Sequence, residues 1–203
     1  MQFIRHKYLA LLTIVFGALS LRYAAIFTDE RTFVAAMEKA EPTSPLIHGE
    51  KARLLLREGR TAAAEAALAR AVELDPRDSG TLQELGDLEL KRGDFAAAEA
   101  HYRRALVEEP GASKPFKLLV LALARAGRQP QAFALLDESA GRWPADFQVQ
   151  LMYALSLGRR GDRAAAERAF EKARFLRPDD SALAGGLDGA LARLAPQMFP
   201  GLR

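Results

Sequence analysis

Cysteine and asparagine are absent from the 203 residues, histidine occurs three times and tryptophan once. Without cysteine there are no disulfides and no thiolate metal sites, a composition that fits an oxidising compartment without requiring one. His6, His48 and His101 lie far apart in the sequence, and none has a second ligand one helical turn away, so no metal centre is expected. The chain has no glycine-rich phosphate loop, no nucleophile elbow and no strand-like alternation of apolar and polar residues. Asp75, Glu108 and Glu109 could pass for catalytic acids, but the equivalent places hold Glu41, Trp143 and Arg177, which makes them surface punctuation. No catalytic residue and no cofactor site emerge, and no enzymatic activity is expected. An excess of charge is missing as well. Of 29 basic and 26 acidic residues, three basic ones (Arg5, Lys7, Arg22) and no acidic one fall in the first 27, so the remainder balances and offers no footprint for nucleic acid.

What the chain does contain is a strict beat. Pro42, Pro76, Pro110, Pro144 and Pro178 each follow the last by 34 residues, and Gly59, Gly93, Gly127 and Gly161 keep the same interval. Between each glycine and the next proline stand two small residues seven apart: Ala64 and Ala71, Ala98 and Ala105, Ala132 and Ser139, Ala166 and Ala173. Seven residues return a helix to the same face. Each glycine is suited to end a first helix in the left-handed conformation, and each proline stops a second helix because it has no amide hydrogen. The small residues let the two helices approach. Leu82, Leu85, Leu88 and Phe95, followed by Ala98 and Tyr102, give the spacing of three or four that lines a helical face. A period of this length marks a solenoid, in which each repeat buries its apolar face only against its neighbours.

A 34-residue helix-turn-helix with this pattern resembles the tetratricopeptide repeat. In that family the first helix carries a large residue, a leucine, a small residue and an aromatic or large apolar residue. These places read His48, Lys51, Ala52, Leu55; Leu82, Leu85, Gly86, Glu89; Phe116, Leu119, Val120, Leu123; and Gln150, Tyr153, Ala154, Leu157. The second-helix pattern of small, large, small and proline is better kept, as in Ala166, Phe170, Ala173 and Pro178. Lys51, Glu89 and Val120 depart from the pattern and predict looser packing in the first three repeats. The resemblance implies an all-α, right-handed α-solenoid of four tetratricopeptide repeats (45–78, 79–112, 113–146, 147–180). Residues 28–44 read as a degenerate half-repeat cap, with Phe33, Val34 and Met37 on one face of a lone second helix. Residues 181–203 read as a C-terminal capping helix and tail: Ser181 caps a helix to Leu194 with Leu183, Leu187, Leu191 and Leu194 inward, and 196–203 is loose.

Residues 1–27 are of another kind. Residues 8–27 form an apolar stretch broken only by Arg22, long enough as a helix to rise about 30 Å and cross a bilayer. Arg22 lies near one end, where its stem can reach the interface. The favoured reading is one uncleaved transmembrane helix. The rival is a removable signal peptide with a basic start, an apolar core and a cleavage site around Ala18, Leu19 and Ser20. Arg5 and Lys7 before the span place that end in the cytoplasm. A bacterial inner-membrane protein with its repeats facing the periplasm is therefore expected, or a secreted periplasmic one if the peptide is cleaved.

Each repeat is basic at one place, two residues before its glycine: Arg57, Lys91, Arg125 and Arg159. A cation in the last turn of a helix meets the partial negative charge there, a stabilisation of about 0.3–1 kcal/mol that needs no ligand. In tetratricopeptide proteins the first helices line the concave surface, so the resemblance implies that these residues, with Arg53, Lys114 and Lys117, sit along a groove. The apolar Leu90, Leu121, Leu151 and Leu155 would lie beside them. Such a groove suits an extended or helical protein segment with acidic groups or a free carboxylate. Lys114 and Lys117 resemble the carboxylate clamp of chaperone-binding members, but the asparagines of that clamp have no counterpart. Trp143 reads either as a partner anchor or as the cap of a seam between repeats. Two functions follow. One is a membrane-tethered adaptor that binds a partner's peptide segment during assembly of a bacterial envelope complex for secretion, pilus, polysaccharide or cytochrome c maturation; the layout resembles anchored tetratricopeptide factors of cytochrome c maturation. The other is a structural, self-associating brace that uses the convex face and end caps.

Overall fold

The computed structural model describes residues 29–177 and 179–199. The anchor expected at 1–27 lies outside the described residues, and among those described no helix is long and apolar enough to cross a membrane. The order is α1 Glu30–Ala40, α2 Pro45–Arg57, α3 Thr61–Leu74, α4 Ser79–Arg92, α5 Phe95–Glu108, α6 Ser113–Arg125, α7 Gln129–Arg142, α8 Phe147–Arg159 and α9 Arg163–Leu176. A 3₁₀ turn at Ser181–Leu183, α10 Gly186–Arg193 and α11 Ala195–Met198 complete it. No strand occurs among the described residues.

Local chemistry sets the helix ends. Asp29, Asp78, Asp94, Asp146 and Asp162 stand at N-caps, where each carboxylate accepts the amide of the residue three positions on. Gly59, Gly93, Gly127 and Gly161 have φ between +75° and +85°. The amide that follows each of them reaches back over the helix end: Arg60 to Leu55, Asp94 to Glu89, Arg128 to Leu123 and Asp162 to Leu157, at 2.9–3.1 Å. The same six-to-one closure thus recurs in every repeat, and only a residue without Cβ adopts that φ freely. Second helices close when Asp75, Glu109, Trp143 and Arg177 bond back to Ala71, Ala105, Ser139 and Ala173. Pro76, Pro110 and Pro144 come next and have no amide to continue.

The chain divides into two compact bodies between Pro76 and Arg77. In the N-terminal body α2 and α3 form a hairpin, and α1 lies on α2. Ion pairs hold α1 there: Arg31 with Glu58, Arg57 with Glu30, and Lys51 Nζ with Glu38 at 2.6 Å. The His48 ring bonds the Pro42 carbonyl at 2.9 Å.

The C-terminal body stacks α4/α5, α6/α7 and α8/α9. Its first helices touch one another, α4 with α6 and α6 with α8, while second helices make weaker contacts at most, so the row bends toward the first helices. All eight small residues are buried across the two bodies, seven alanines fully and Ser139 to 1% exposure. A Cβ on Gly86 would lie 2.6 Å from the Tyr102 ring, which shows how closely α4 meets α5. Looser packing in the first three repeats is corrected to the third alone: α6 and α7 meet more sparsely than the other three pairs. Lys51 does no such damage because Glu38 takes its charge, and Glu89 is mostly covered and faces Arg92 at 3.7 Å. Val120, fully buried, puts a branched side chain where the other repeats have Ala52, Gly86 and Ala154.

The C-terminal expectation changes more. The helix to Leu194 is interrupted because Gly185 and Gly186 both take positive φ, +77° and +66°, and Asp180 rather than Ser181 caps the preceding turn. Leu183 and Leu187 are buried as expected. The stretch from 196 is not loose through 199: α11 packs on α6 and α8, and Phe199 is fully buried.

Candidate functional site

The first helices of the C-terminal body run side by side, so their last turns form a row carrying Lys91, Arg125 and Arg159. Lys91 and Arg125 are exposed and Arg159 is half-buried, and none forms an ion pair among the described residues. Each neighbours a helix end with the partial negative charge noted above, and each keeps its own charge available. Arg57, the matching residue of the N-terminal body, pairs with Glu30, and Arg53 contacts Glu50. The ladder is therefore uneven: its N-terminal member is neutralised, and three members remain open in the C-terminal body.

Lys114 is exposed on the first turn of α6. Lys117, expected at the groove, is paired with Asp146 at 3.0 Å, with side-chain exposures of 19% and 21%. Asp146 also accepts the Ser113 hydroxyl at 2.6 Å and the Val149 amide at 3.0 Å. Burial pushes its carboxyl upward, but the bonds from Ser113, Val149 and Lys117 outweigh this and hold its pKa below the usual aspartate value. Lys117 thereby ties α6 to the cap of α8.

The structure brings Lys117, Leu121 and Leu151 together in a cleft of about 400 Å³, walled also by Leu118, Met152 and, from the C-terminal segment, Leu194 and Met198. Leu155, expected on the open surface, is wholly buried because the C-terminal elements cover α8, the helix that carries it. Leu151 and Leu90 retain 6% and 8% exposure and belong mainly to the core. Trp143 caps a seam: its indole N–H donates to the Gly111 carbonyl at 2.8 Å, and its ring lies 4.6 Å from Phe116.

Two residues that matter to this face were not legible as such. Gly158 stands where the other repeats have Leu56, Leu90 and Ala124, and a Cβ there would meet Leu191 at 2.7 Å. Phe133 stands where the others have Glu65, Glu99 and Glu167, and it packs edge-on against Phe199 at 5.2 Å. The available signal was a break in the repeat register.

Comparison with known proteins fits this architecture. The chain matches a tetratricopeptide repeat model at 30–79, 50–113 and 84–147, together more than half its length. It is 29% identical over 132 residues to cellulose synthase operon protein C of Pseudomonas fluorescens, covering 61% of this chain. To the protein of the same name from Xanthomonas axonopodis pv. citri it is 32% identical over 154 residues, covering 72% of this chain. The chain spans only 10% of the length of either relative. Among solved structures, Pseudomonas aeruginosa PilF superposes with a TM-score of 0.66 at 18% identity, covering 80% of this chain and 75% of PilF. YrrB, described as a TPR protein with an unusual peptide-binding site, gives 0.61 at 16% identity over 71% of this chain and 75% of its own. Desulfovibrio magneticus MamA gives 0.63 at 17% identity over 83% and 97%. Proteins built from such repeats bind protein or peptide partners. With the 34-residue period, the recurring glycine closure and the family match in agreement, the chain belongs to the tetratricopeptide repeat family.

Proposed function

We propose that this protein is an adaptor tethered to a bacterial inner membrane by residues 8–27, with repeats on the periplasmic side. It binds a partner's extended or helical segment, bearing acidic groups or a free carboxylate, during assembly of an envelope complex. It is a binding protein rather than an enzyme. The observation that carries this reading is the row of Lys91, Arg125 and Arg159, one in the last turn of each first helix of the C-terminal body and without carboxylate partners among the described residues. The peptide-binding site of YrrB, a protein of similar fold, supports a peptide as the class of partner. Among envelope machines, the relatives' name favours one for polysaccharide synthesis.

A brace remains the second reading because Val107 and Phe175, on second helices, are 73% and 86% exposed. Charge reversal separates the two. Lys91→Glu, Arg125→Glu and Arg159→Glu combined should reduce crosslinked partner capture in intact membranes at least about tenfold. The cost in stability should stay near about 0.3–1 kcal/mol per site. Capture that survives this change but is lost on replacing Val107 and Phe175 with serine identifies the brace.

A further inference from the structure

The last described residues do not extend the stack of repeats. After α10 covers the end of the final pair, the chain turns back: Ala195–Met198 lies across α6 and α8, the two first helices whose flanks form the inner face. Phe199 ends the segment wholly buried, its ring edge-on to Phe133 at 5.2 Å, with the Arg160 guanidinium 5.7 Å over Phe133 and tied to Asp137 at 2.7 Å. Met198 and Leu194 form a wall of the open cleft of about 400 Å³. The segment therefore supplies part of the wall of the space that remains for a partner.

The repeat pattern shows that this seat is specific. Three repeats place a glutamate at the Phe133 position, and a glutamate there could not receive a buried ring without its charge losing water. The single phenylalanine coincides with the single repeat against which a C-terminal aromatic docks. Within the segment, the hydrogen bonds are local: Met198 and Phe199 amides return to Leu194 and Ala195. Among the described residues no polar contact ties 195–199 to the repeats; apolar packing holds it, and such contacts can be exchanged for others of the same shape.

We propose that residues 194–199 are an exchangeable internal occupant of the inner face, and that the partner segment admitted there is of matching chemistry, a short apolar helical turn ending in an aromatic side chain, which displaces them. This rests on the inner-face reading above and adds its regulation: the full cleft opens only when the segment leaves.

The test uses the full-length chain and a fluorescein-labelled peptide of residues 193–199, read by anisotropy. The wild-type chain, its seat filled in cis, should bind the peptide weakly, and Phe199→Ala should bind it at least about tenfold more tightly. Phe133→Glu added to Phe199→Ala should abolish that gain, as should a peptide with alanine for its phenylalanine. Equal binding by wild type and Phe199→Ala overturns the proposal, and so does a Phe199→Ala chain that loses its helical circular dichroism, since the segment would then be integral to the fold. Hydrogen exchange on the wild type supplies a second arm: the Met198 and Phe199 amides should exchange at least about a hundredfold faster than those in the middle of α8. Equal protection overturns exchangeability. The two readings fail separately. Peptide exchange without charge-dependent capture removes the cationic row, and charge-dependent capture without exchange removes the internal occupant.

Discussion

The second and third helix pairs descend from one pattern and pack differently. In α4/α5, Gly86 lets the fully buried Tyr102 ring lie where a side chain would be, and the Tyr102 hydroxyl donates to Asp87 at 2.8 Å. In α6/α7 the matching residues are Val120 and Leu136, both fully buried, and the helices stand further apart. Between α5, α6 and α7 a cleft of about 560 Å³ opens, lined by Leu106, Val107, Phe116, Leu135 and Trp143 among others. A side chain at a helix contact sets how near the backbones come, so one branched residue in place of hydrogen converts a closed hairpin into an open one. The lesson is that a repeat's volume is shared across the pair: an aromatic needs a glycine opposite, and a valine forces room that neither helix fills.

The largest effect should come from closing off the tight pair. Gly86→Val places atoms inside the Tyr102 ring, which is held by burial and by Asp87 and cannot swing away. A cost at the upper end of roughly 1–3 kcal/mol is expected, read from denaturant midpoints. An unchanged midpoint would mean that α4 and α5 can part as easily as α6 and α7. Val120→Ala addresses the other side of the comparison and should cost roughly 1–2 kcal/mol, less than a rigid cavity would demand, because α6 can settle toward α7. Trp143 is the only tryptophan and lines the cleft, so its emission should shift to shorter wavelength as the cleft narrows. Static emission would sever Val120 from the opening. Tyr102→Phe follows at about 1 kcal/mol, since it leaves the ring in place and removes one hydrogen bond to a carboxylate. A larger loss would show that Asp87, deprived of the phenol, disturbs its surroundings.

How much of this was legible follows from what repeats and what does not. The Pro76, Pro110 and Pro144 stops, the Gly59 to Gly161 turns and the eight small contact residues recur four times or nearly so, and recurrence separates a structural requirement from drift. Val120 could be read as a departure because a family pattern stood beside it; that it would loosen only its own pair depended on ion pairing at Lys51 and burial at Glu89, which the pattern does not encode. Phe133 and Gly158 occur once each, and their reason lies 66 and 33 residues downstream, in Phe199 and Leu191. A single break in register names a site only when its partner is known. Lys117 lines the cleft, but its ion pair was not legible for the same reason: its companion Asp146 is an N-cap in the next repeat, so a residue that looks free along its own helix is bound across a seam. The cations two residues before each glycine were legible by place, but their availability was not, because Glu30 reaches Arg57 from a helix outside the repeats.

The smallest expected effect concerns pH and again divides the pairs. His101 sits half-buried on α5, where Leu135 stands in α7, and its Nδ1 has no hydrogen-bond partner among the described residues. Burial first, and Arg104 second, hold its pKa below 6.5, with Glu89 opposing them only in part. The folded chain therefore favours the neutral ring, while the unfolded chain takes up a proton near 6.5. Between the lowered folded value and 6.5 the unfolded state binds more protons, so stability rises with pH across that window. The contribution from this residue is complete above 6.5 and declines as the pH falls toward the folded pKa. Denaturant midpoints of wild type and His101→Leu, followed from pH 7.5 downward, should separate in one direction, the wild type falling relative to the variant, since the variant carries the third pair's residue and no titrating ring. Parallel curves through the window would show that the ring is solvated as well in the folded chain as in the unfolded one, and that α5 is less closed at its outer flank than its contact with α4 implies.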